Sequence, residues 1–433
     1  MSILDRSVPQ TRGPSLDSLT IFLIVVATLL TAMHVGQRAL APTEPTTQAG
    51  PEARLVELRW AASKQFGMKY EPVNDIPINK WNAAVEAVML HENGRPGDAM
   101  ALLPHTPEGD FRTCWEAAYG SGPLPSEEQV LSVRDGMTGG LASSYLEASL
   151  AALSDEAKAS RMRSDAQSVY KNRAMALIVL TIALIVGACA GICIGIWILF
   201  RPQPIPPPPH FEMSATLAVR VCLGWYVLFL ISGTIIGLVN GVFPMGLWAL
   251  PAAYSFHAVS GIAFICIAEK ISPVELWNRL SQKTMSWIPS GVQFLALAMG
   301  TVLLLAIILS LFMPSVESAQ RELMDLIRTT RGIVPFVLIF GTVAILGPSF
   351  EEIFFRGFLL SVMRRRCFAL WSLIFSSLLF GVIHFQLYNL PVLACLGAAL
   401  GISFLMTKDI RVAIFVHGCW NGGLFLIQKL LLA

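Results

Sequence analysis

The chain has 433 residues, of which 54% are hydrophobic and 14% are charged, whereas an ordinary soluble domain carries roughly 25% charged residues. A water-soluble globule of this size has no interior large enough to hide so much apolar surface. The composition excludes disorder, collagen, coiled coil and nucleic-acid binding as descriptions of the whole chain, and the net charge of +2 averages polar with apolar segments, so it indicates no partner.

Apolar runs long enough to cross a bilayer recur along the sequence. A hydrocarbon core about 30 Å thick requires about 20 helical residues, and about nine runs approach that length. They lie at 19–36, 174–200, 217–240, 247–268, 289–313, 333–350, 368–385, 389–406 and 410–432. The sequence therefore predicts an all-α fold, a polytopic helical membrane protein of about nine transmembrane helices in which the last seven or so form one bundle.

The first apolar run has two interpretations. Arg6 and Arg12 precede it, and Ala39 and Ala41 resemble a small-x-small cleavage site, as in a signal peptide. Pro42 directly after that site argues against cleavage and favours a retained anchor. In both cases the next segment begins on the far side of the membrane.

A polar region separates the first two apolar runs. It opens with a Pro- and Thr-rich linker and has ordinary charge density, and Trp81, Val85, Val88 and Met89 show helical spacing. We expect a small helical soluble domain inserted here. The expected organisation is an N-terminal anchor or signal-like segment at 1–41, an extracytoplasmic soluble domain at 42–170, a transmembrane helix with a Pro-rich linker at 171–214, and the bundle at 215–433.

The positions of lysine and arginine predict the orientation, because short cytoplasmic loops carry an excess of both. With the N-terminus inside, most basic loop residues face the cytoplasm. Those residues are Arg201, Lys270, Arg279, Lys283, Arg364, Arg365, Arg366, Lys408 and Arg411. Arg38, Lys171, Arg173 and a mixed-charge amphipathic segment at 317–331 fall on the other side. A signal-like start followed by an exported domain is typical of a multi-pass protein of the bacterial plasma membrane.

Ionisable side chains inside membrane helices are costly and usually mark a functional site. The apolar segments before residue 333 carry almost none, with His257 as an exception. The last hundred residues hold several, together with an asparagine: Glu351, Glu352, Arg356, His384, His417 and Asn421. This asymmetry places the candidate site in the C-terminal part.

Glu352 and Arg356 are four residues apart, so on a helix they share a face and form a favourable ion pair. Glu351 points about 100° away and does not share that arginine. A partly buried carboxylate without a strong cation partner suits a general base. Gly347 and Pro348 either kink this helix or begin a new one, and the sequence leaves both alternatives open.

Two further pairs have helical spacing. Phe380 and His384 are four residues apart, and so are His417 and Asn421. Each pair alone is weak evidence for function. Together with Glu351, in separate helical segments, they are hard to explain as packing.

These residues form three motifs that resemble those of the CPBP intramembrane proteases, which include the type II CAAX prenyl proteases and the bacterial CAAX amino-terminal proteases. The family pattern E-E-x-x-x-R matches 351–356, F-x-x-x-H matches 380–384, and H-x-x-x-N matches 417–421. Close resemblance covers about 333–423, and a weaker similarity in helix number extends back to about 215. The resemblance implies that 215–433 is a protease domain.

The resemblance also implies the roles of the residues. Glu351 with His384 would activate water, and His417 with Asn421 would stabilise the oxyanion. Glu352 and Arg356 would support the site, next to Phe380. The implied protein is a glutamate-dependent endopeptidase without a metal or cofactor, acting on a membrane-associated protein or peptide within the bilayer, with its site opening toward the cytoplasm. No nucleic acid is expected, and a protein partner is expected for the 42–170 domain.

Three alternatives remain at this point. A zinc intramembrane metalloprotease would use the same residue types, but H-E-x-x-H is absent. A transporter with a carboxylate and histidine relay would normally show inverted repeats, which the sequence lacks. A catalytically silent scaffold, or a protein of the bacteriocin-immunity type, is the main alternative. For the eight cysteines, no C-x-x-C spacing suggests a disulfide framework or a zinc ribbon.

Overall fold

The computed structural model describes residues 17–40, 48–49, 51–67, 70, 79–200, 207–242, 245–282, 287–310, 332–386 and 389–432. Across these ranges the chain is helical and contains no strand. The predicted all-α class is confirmed, and the protein is a polytopic helical membrane protein. The predicted amphipathic segment at 317–331 lies outside the described residues.

Sixteen helices follow one another along the described chain, and two short 3₁₀ turns lie at Leu103–His105 and Gly246–Trp248. The helices are α1 (Ser18–Leu40), α2 (Pro51–Phe66), α3 (Lys80–Glu92), α4 (Pro96–Leu102), α5 (Asp110–Tyr119), α6 (Glu127–Gly136), α7 (Leu141–Ala152), α8 (Glu156–Phe200), α9 (Ala215–Val242), α10 (Ala249–Glu269), α11 (Pro273–Leu280), α12 (Trp287–Ser310), α13 (Ile333–Arg364), α14 (Ala369–Val382), α15 (Leu390–Thr407) and α16 (Ile410–Leu432).

The chain divides into two compact units, one of residues 42–182 with 427–433 and the other of residues 1–41 with 183–426. In the first unit, α2 to α7 and the start of α8 enclose a core that includes Val85, Val88 and Met89. Local signals define its helix starts. The side chain of Asn79 caps α3, and Ser126 with Gln129 forms a capping box at α6. The division into the four segments given above stays a prediction.

Among the residues that the structure describes, seven helices are long and apolar enough to span a membrane by length and composition. They are Glu156–Trp197, Ala215–Ile236, Gly246–Glu269, Trp287–Leu309, Ile333–Arg364, Leu390–Thr407 and Ile410–Lys429. Two shorter apolar helices, Ser18–Ala32 and Ala369–Val382, coincide with the remaining predicted runs. The exact count of nine spans therefore stays a prediction.

The outer faces of these helices are apolar. On α8, Val179, Ile182 and Val186 are each more than half exposed. A continuous apolar face of this kind is stable against lipid chains and unstable against water.

Helix α1 packs on α9 through polar contacts. Arg220 pairs with Asp17 and also donates to Thr20. Further along the same two helices, the hydroxyls of Thr31 and Tyr226 lie 2.8 Å apart. Polar side chains at a helix–helix contact in a membrane act as attachment points, because lipid offers them no alternative partner.

Several basic loops are hydrogen-bonded to one another at one end of the second unit. Arg279 donates to the carbonyl of His210 at 3.2 Å, and Arg366 donates to the carbonyl of Met213 at 2.8 Å. Gln282 donates to the carbonyl of Thr407 at 2.7 Å. The segments 207–214, 270–282, 364–367 and 407–411 thus meet on the same side of the bundle.

Candidate active site

Helix α13 carries the two glutamates and runs without interruption from Ile333 to Arg364. It contains two π-helical stretches, Thr342–Leu346 and Ile353–Leu360, which flank the glutamates. Gly347 donates its backbone N–H to Thr342, five residues earlier. Of the two alternatives left open above, the helix therefore continues through Gly347 and Pro348, and no new helix begins there.

The first π-helical stretch frees a carbonyl that another helix satisfies. In this pattern the residue after Gly347 would donate to Val343, but Pro348 has no N–H. The side-chain amide of Asn421 donates to the Val343 carbonyl instead, at 3.2 Å. Non-helical backbone groups at membrane depth require such partners, and this contact places the last motif beside the first.

Glu352 and Arg356 form the ion pair that their spacing predicts. Their Oε1 and Nη1 atoms are 2.8 Å apart, and the side chains are 0% and 1% exposed. Arg356 also donates to the carbonyl of Gly397 at 3.2 Å and lies 4.3 Å from the ring centre of Phe380. The arginine therefore joins three helices, α13, α14 and α15, through one side chain.

His417 connects the two glutamates. Its Nδ1 lies 2.8 Å from Oε1 of Glu352, and its Nε2 lies 3.8 Å from Oε2 of Glu351. A carboxylate only accepts hydrogen bonds, so Nδ1 carries the proton and donates it to Glu352. Nε2 is then an acceptor, and the Asn421 amide lies 3.3 Å from it.

Glu351 differs from Glu352 in its partners. It is 14% exposed, and its Oε2 accepts no hydrogen bond from any described residue. The arginine pairs with Glu352 alone. Of the two adjacent glutamates, the arginine therefore neutralises Glu352 and leaves Glu351 without an arginine or lysine partner among the described residues.

Phe380 separates the two histidines and contacts both. Its ring, fully buried at the end of α14, lies 5.6 Å from the ring of His417 and 4.9 Å from that of His384. His384 itself lies in the turn that follows α14, and its Nδ1 is 2.7 Å from the Phe380 carbonyl. Since a carbonyl only accepts, Nδ1 donates, and Nε2 of His384 has its lone pair available as an acceptor.

The structure brings most, but not all, of the predicted residues into direct contact. Glu351, Glu352, Arg356, His417 and Asn421 form one connected cluster. His384 joins that cluster through the ring of Phe380, and among the described residues no hydrogen bond joins it to Glu351. Side chains from α13, α14 and α16, and His384 from the turn after α14, therefore lie next to one another.

Sequence reasoning did not assign two residues of α10. Tyr254 packs against Gly347, and the ring centre of His257 lies 5.5 Å from that of Phe350, so both residues contact α13 close to the glutamates. His257 is a histidine in an apolar run, which was a usable signal. Nothing in the sequence distinguishes Tyr254 from an ordinary membrane-interface tyrosine.

The described residues offer no candidate metal centre. Within the ranges given above, no group of three or more histidine, cysteine, aspartate or glutamate side chains is arranged to hold a metal ion.

Comparison with known families agrees with this geometry. Residues 333–423 match the model of the family described as "Type II CAAX prenyl endopeptidase Rce1-like". This range holds all seven residues of the three motifs and the contacts between them. Residues 333–423 are therefore similar to an Rce1-like domain, and this similarity is confined to that part of the chain.

One curated relative is the "Putative membrane peptidase YdiL" of Bacillus subtilis, which is 30% identical over 95 residues. The match covers 22% of this chain and 38% of that relative's length. No solved structure gives a significant match.

Proposed function

We propose that the protein is an intramembrane endopeptidase of the glutamic type, which hydrolyses a peptide bond of a membrane-associated protein or peptide. One observation carries the proposal: Arg356 and His417 both engage Oε1 of Glu352, whereas the contact found for the Glu351 carboxylate among the described residues is His417 Nε2 at 3.8 Å. Of two adjacent carboxylates, one is thus structural and the other is available as a base.

The reaction uses these groups as follows. The Glu351 carboxylate takes a proton from water as the water oxygen bonds to the peptide carbonyl carbon, and the electron pair of the carbonyl moves to its oxygen. The tetrahedral intermediate then collapses, the C–N bond breaks, and the leaving amine takes the proton from Glu351. The carboxylate is regenerated, so no group is consumed.

His384 is the second residue proposed to bind the reacting water, beside Glu351. Its Nδ1 is fixed on the Phe380 carbonyl, which leaves Nε2 to accept a hydrogen bond from the water. His417 and Asn421, which contact Glu352 and the Val343 carbonyl in the structure, are the proposed donors that stabilise the oxyanion of the tetrahedral intermediate. Burial of the cluster excludes bulk water, which strengthens each polar contact.

The test compares cells that produce the wild-type protein with cells that produce Glu351→Gln. Proteomics of new peptide termini in membrane fractions should show a set of termini that is present with the wild type and absent with Glu351→Gln. Glu212→Gln is the matched control, because Glu212 is an exposed carboxylate in a loop, and it should give the wild-type pattern. Equal termini with all three proteins would contradict the proposal.

The same experiment separates the alternatives. A silent scaffold, or a protein of the bacteriocin-immunity type, would keep its cellular effect in Glu351→Gln without any change in termini. A zinc protease would lose its termini on treatment with a zinc chelator. Termini at prenylated C-terminal tails would assign the substrate class that the family's name gives.

We further propose the remaining organisation as predicted from the sequence. The protein would reside in a bacterial plasma membrane with the 42–170 domain outside, where that domain would bind a partner protein or a client. The site would open toward the cytoplasmic end.

A further inference from the structure

Helix α14 carries a buried serine that bonds to the backbone of the helix with the two glutamates. The hydroxyl of Ser376 donates to the carbonyl of Phe355 at 3.2 Å, and Ser376 is 2% exposed. Phe355 lies in the second π-helical stretch of α13, Ile353–Leu360, which begins directly after Glu352. The hydrogen bond therefore joins α14 to α13 within about one turn of the pair of glutamates.

The first π-helical stretch of α13 is held in the same way. There the carbonyl of Val343 accepts a hydrogen bond from the side-chain amide of Asn421, on α16. π-helical turns are rare, and at membrane depth the backbone groups that they leave poorly bonded need partners from elsewhere in the protein. The segment with the two glutamates is thus held on both sides by a donor from another helix, Asn421 before it and Ser376 after it.

Ser376, Phe380 and His384 follow one another at intervals of four residues. On α14 this spacing places Ser376 and Phe380 on one face, and His384 lies in the turn that follows the helix. The ring centre of Phe380 lies 4.3 Å from the guanidinium carbon of Arg356 and 5.5 Å from the ring centre of Phe355. The face of α14 that leads to the histidine is therefore turned to α13.

The two kinds of contact on this face constrain the helices differently. Attraction between apolar rings is not directional, so ring contacts alone allow one helix to slide along the other. A hydrogen bond depends steeply on distance and angle, so the contact of Ser376 with Phe355 fixes the register of α14 against α13. Among the described residues no hydrogen bond joins Glu351 to His384. Their separation therefore depends on that register.

We propose that Ser376 is a positioning residue, which sets the register of α14 against α13 and so holds His384 where it and Glu351 contact the same water. Ser376 acts through the Phe355 carbonyl and touches neither the water nor the substrate. Its hydroxyl keeps its proton throughout the reaction. This inference rests on the proposed function, because it assigns the reacting water to Glu351 and His384.

The test measures cleavage of a quenched peptide by the purified full-length protein in lipid vesicles. The peptide carries the cleavage site found by the terminal-peptide proteomics. Ser376→Ala removes only the hydroxyl. We expect its kcat to fall by about 10- to 100-fold, because a displacement of about 1 Å at a catalytic group costs up to about 100-fold in rate. Its KM should change by less than about twofold, since no group that binds the substrate is removed.

Ser377→Ala is the matched control. Ser377 is 4% exposed, and its hydroxyl donates to the carbonyl of Leu373 on its own helix at 2.7 Å. The control thus removes the same group from the neighbouring buried position without breaking a hydrogen bond to α13, and its kcat should equal that of the wild type. A merely structural role of Ser376 would lower the melting temperature of Ser376→Ala and leave the kcat of the folded protein intact, which would overturn the inference.

Conservative variants provide a second readout. Ser376→Thr keeps the hydroxyl, so its folded form should recover most of the kcat that Ser376→Ala loses. A folded Ser376→Thr protein as slow as Ser376→Ala would contradict the role of the hydrogen bond. If Ser376→Ala yields no folded protein, Ser376→Cys takes its place with the same two outcomes, because a thiol has nearly the same shape and is a much weaker donor.

Glu351→Gln, assayed in parallel, separates the two levels. If Glu351→Gln is inactive and Ser376→Ala behaves like Ser377→Ala, the positioning role of Ser376 is wrong and the hydrolase stands. If Glu351→Gln cleaves the peptide normally, the proposed function is wrong, and the role of Ser376 falls with it.

Discussion

Arg356 is the residue on which the site's rigidity depends. It is 1% exposed, and it contacts an ion-pair partner on its own helix, a backbone carbonyl on α15 and an aromatic ring on α14. The spacing of four residues predicts the partner on its own helix. The contacts with Gly397 and Phe380 depend on tertiary packing, which no local pattern in one sequence encodes.

Replacing Arg356 with Met should destabilise the protein by about 3 to 5 kcal/mol, because it leaves the buried Glu352 without its cation. The free energy of unfolding, measured by detergent titration in mixed micelles, checks this. Combining Arg356→Met with Glu352→Gln should recover part of the loss, since the two changes act on one network. Arg134→Met removes a partly exposed pair with Glu147 and should cost less than about 1 kcal/mol. Equal losses in the two arginine variants would contradict the buried network.

His91 gives the soluble unit a pH dependence. Its ring packs on Tyr119 with ring centres 4.0 Å apart and against Trp115 at 5.6 Å. Burial lowers the pKa of His91 from its ordinary value, and the adjacent Glu92 opposes part of this shift. The unfolded histidine, with a pKa of about 6.5, therefore binds a proton more readily than the folded one. Its contribution to stability is fully present above that pH and is lost as the pH falls toward the folded-state pKa.

Thermal unfolding of the full-length protein, followed by tryptophan fluorescence from pH 7.5 to 5, checks this prediction. The wild type should lose stability across that range. His91→Phe keeps an uncharged ring in place and should lose less. His105→Phe, at an exposed position in a 3₁₀ turn, should follow the wild type. A His91→Phe curve parallel to the wild-type curve would refute the assignment to His91.

At the scale of elements, α13 shows which features the sequence predicts and which depend on contacts with other helices. The sequence places the two glutamates on different faces, and the ion pair of Glu352 follows. It leaves the effect of Gly347 and Pro348 open, because the outcome depends on whether another helix supplies a donor. Asn421, 78 residues beyond Val343, supplies it, so the helix continues through a π-helical stretch. Similarly, the motif predicts His384 near the base, whereas its position in a turn behind Phe380 comes from the end of α14.

The crossing of α8 and α12 depends on glycine. A Cβ on Gly191 would lie 1.8 Å from the carbonyl oxygen of Ala296, which is backbone and cannot move aside alone. Gly191→Ala should therefore force the helices apart and destabilise the protein by about 1 to 3 kcal/mol, as overpacking does. Gly233 on α9 has nothing within 4 Å of its Cβ position. Gly233→Ala should leave the free energy of unfolding unchanged or raise it by up to about 1 kcal/mol, because alanine favours a helix.

Detergent titration of both glycine variants provides the measurement. The pair isolates the close approach, since each variant adds one methyl group to a membrane helix. A stable Gly191→Ala protein with unchanged unfolding would mean that α8 does not cross α12 at this distance.

At the scale of the whole molecule, the distribution of basic residues and the contacts between loops indicate the same grouping of loops. The sequence assigns the loops after α8, α10, α13 and α15 to the same membrane side by their lysine and arginine content. In the structure those loops contact each other through Arg279, Gln282, Arg366 and Arg411. Charge distribution and packing, which are independent properties, thus group the same loops. For the loops after α13 and α15 to lie on the same side, the chain must cross the bilayer twice between them, so the short helix α14 must also span the bilayer.

The side that this basic end faces is testable with single cysteines in a variant lacking the eight native ones. Glu275 lies on α11 at the basic end and its side chain is 50% exposed. Leu124, 72% exposed, represents the soluble unit. By the positive-inside rule, a membrane-impermeant maleimide should label Leu124→Cys in intact bacterial cells, and Glu275→Cys only after permeabilisation. The reverse labelling pattern would mean that the membrane orientation is opposite to the predicted one, with the opening of the active site outside. Labelling of both cysteines in intact cells would show an even number of crossings between α7 and α11, in conflict with three spans formed by α8, α9 and α10.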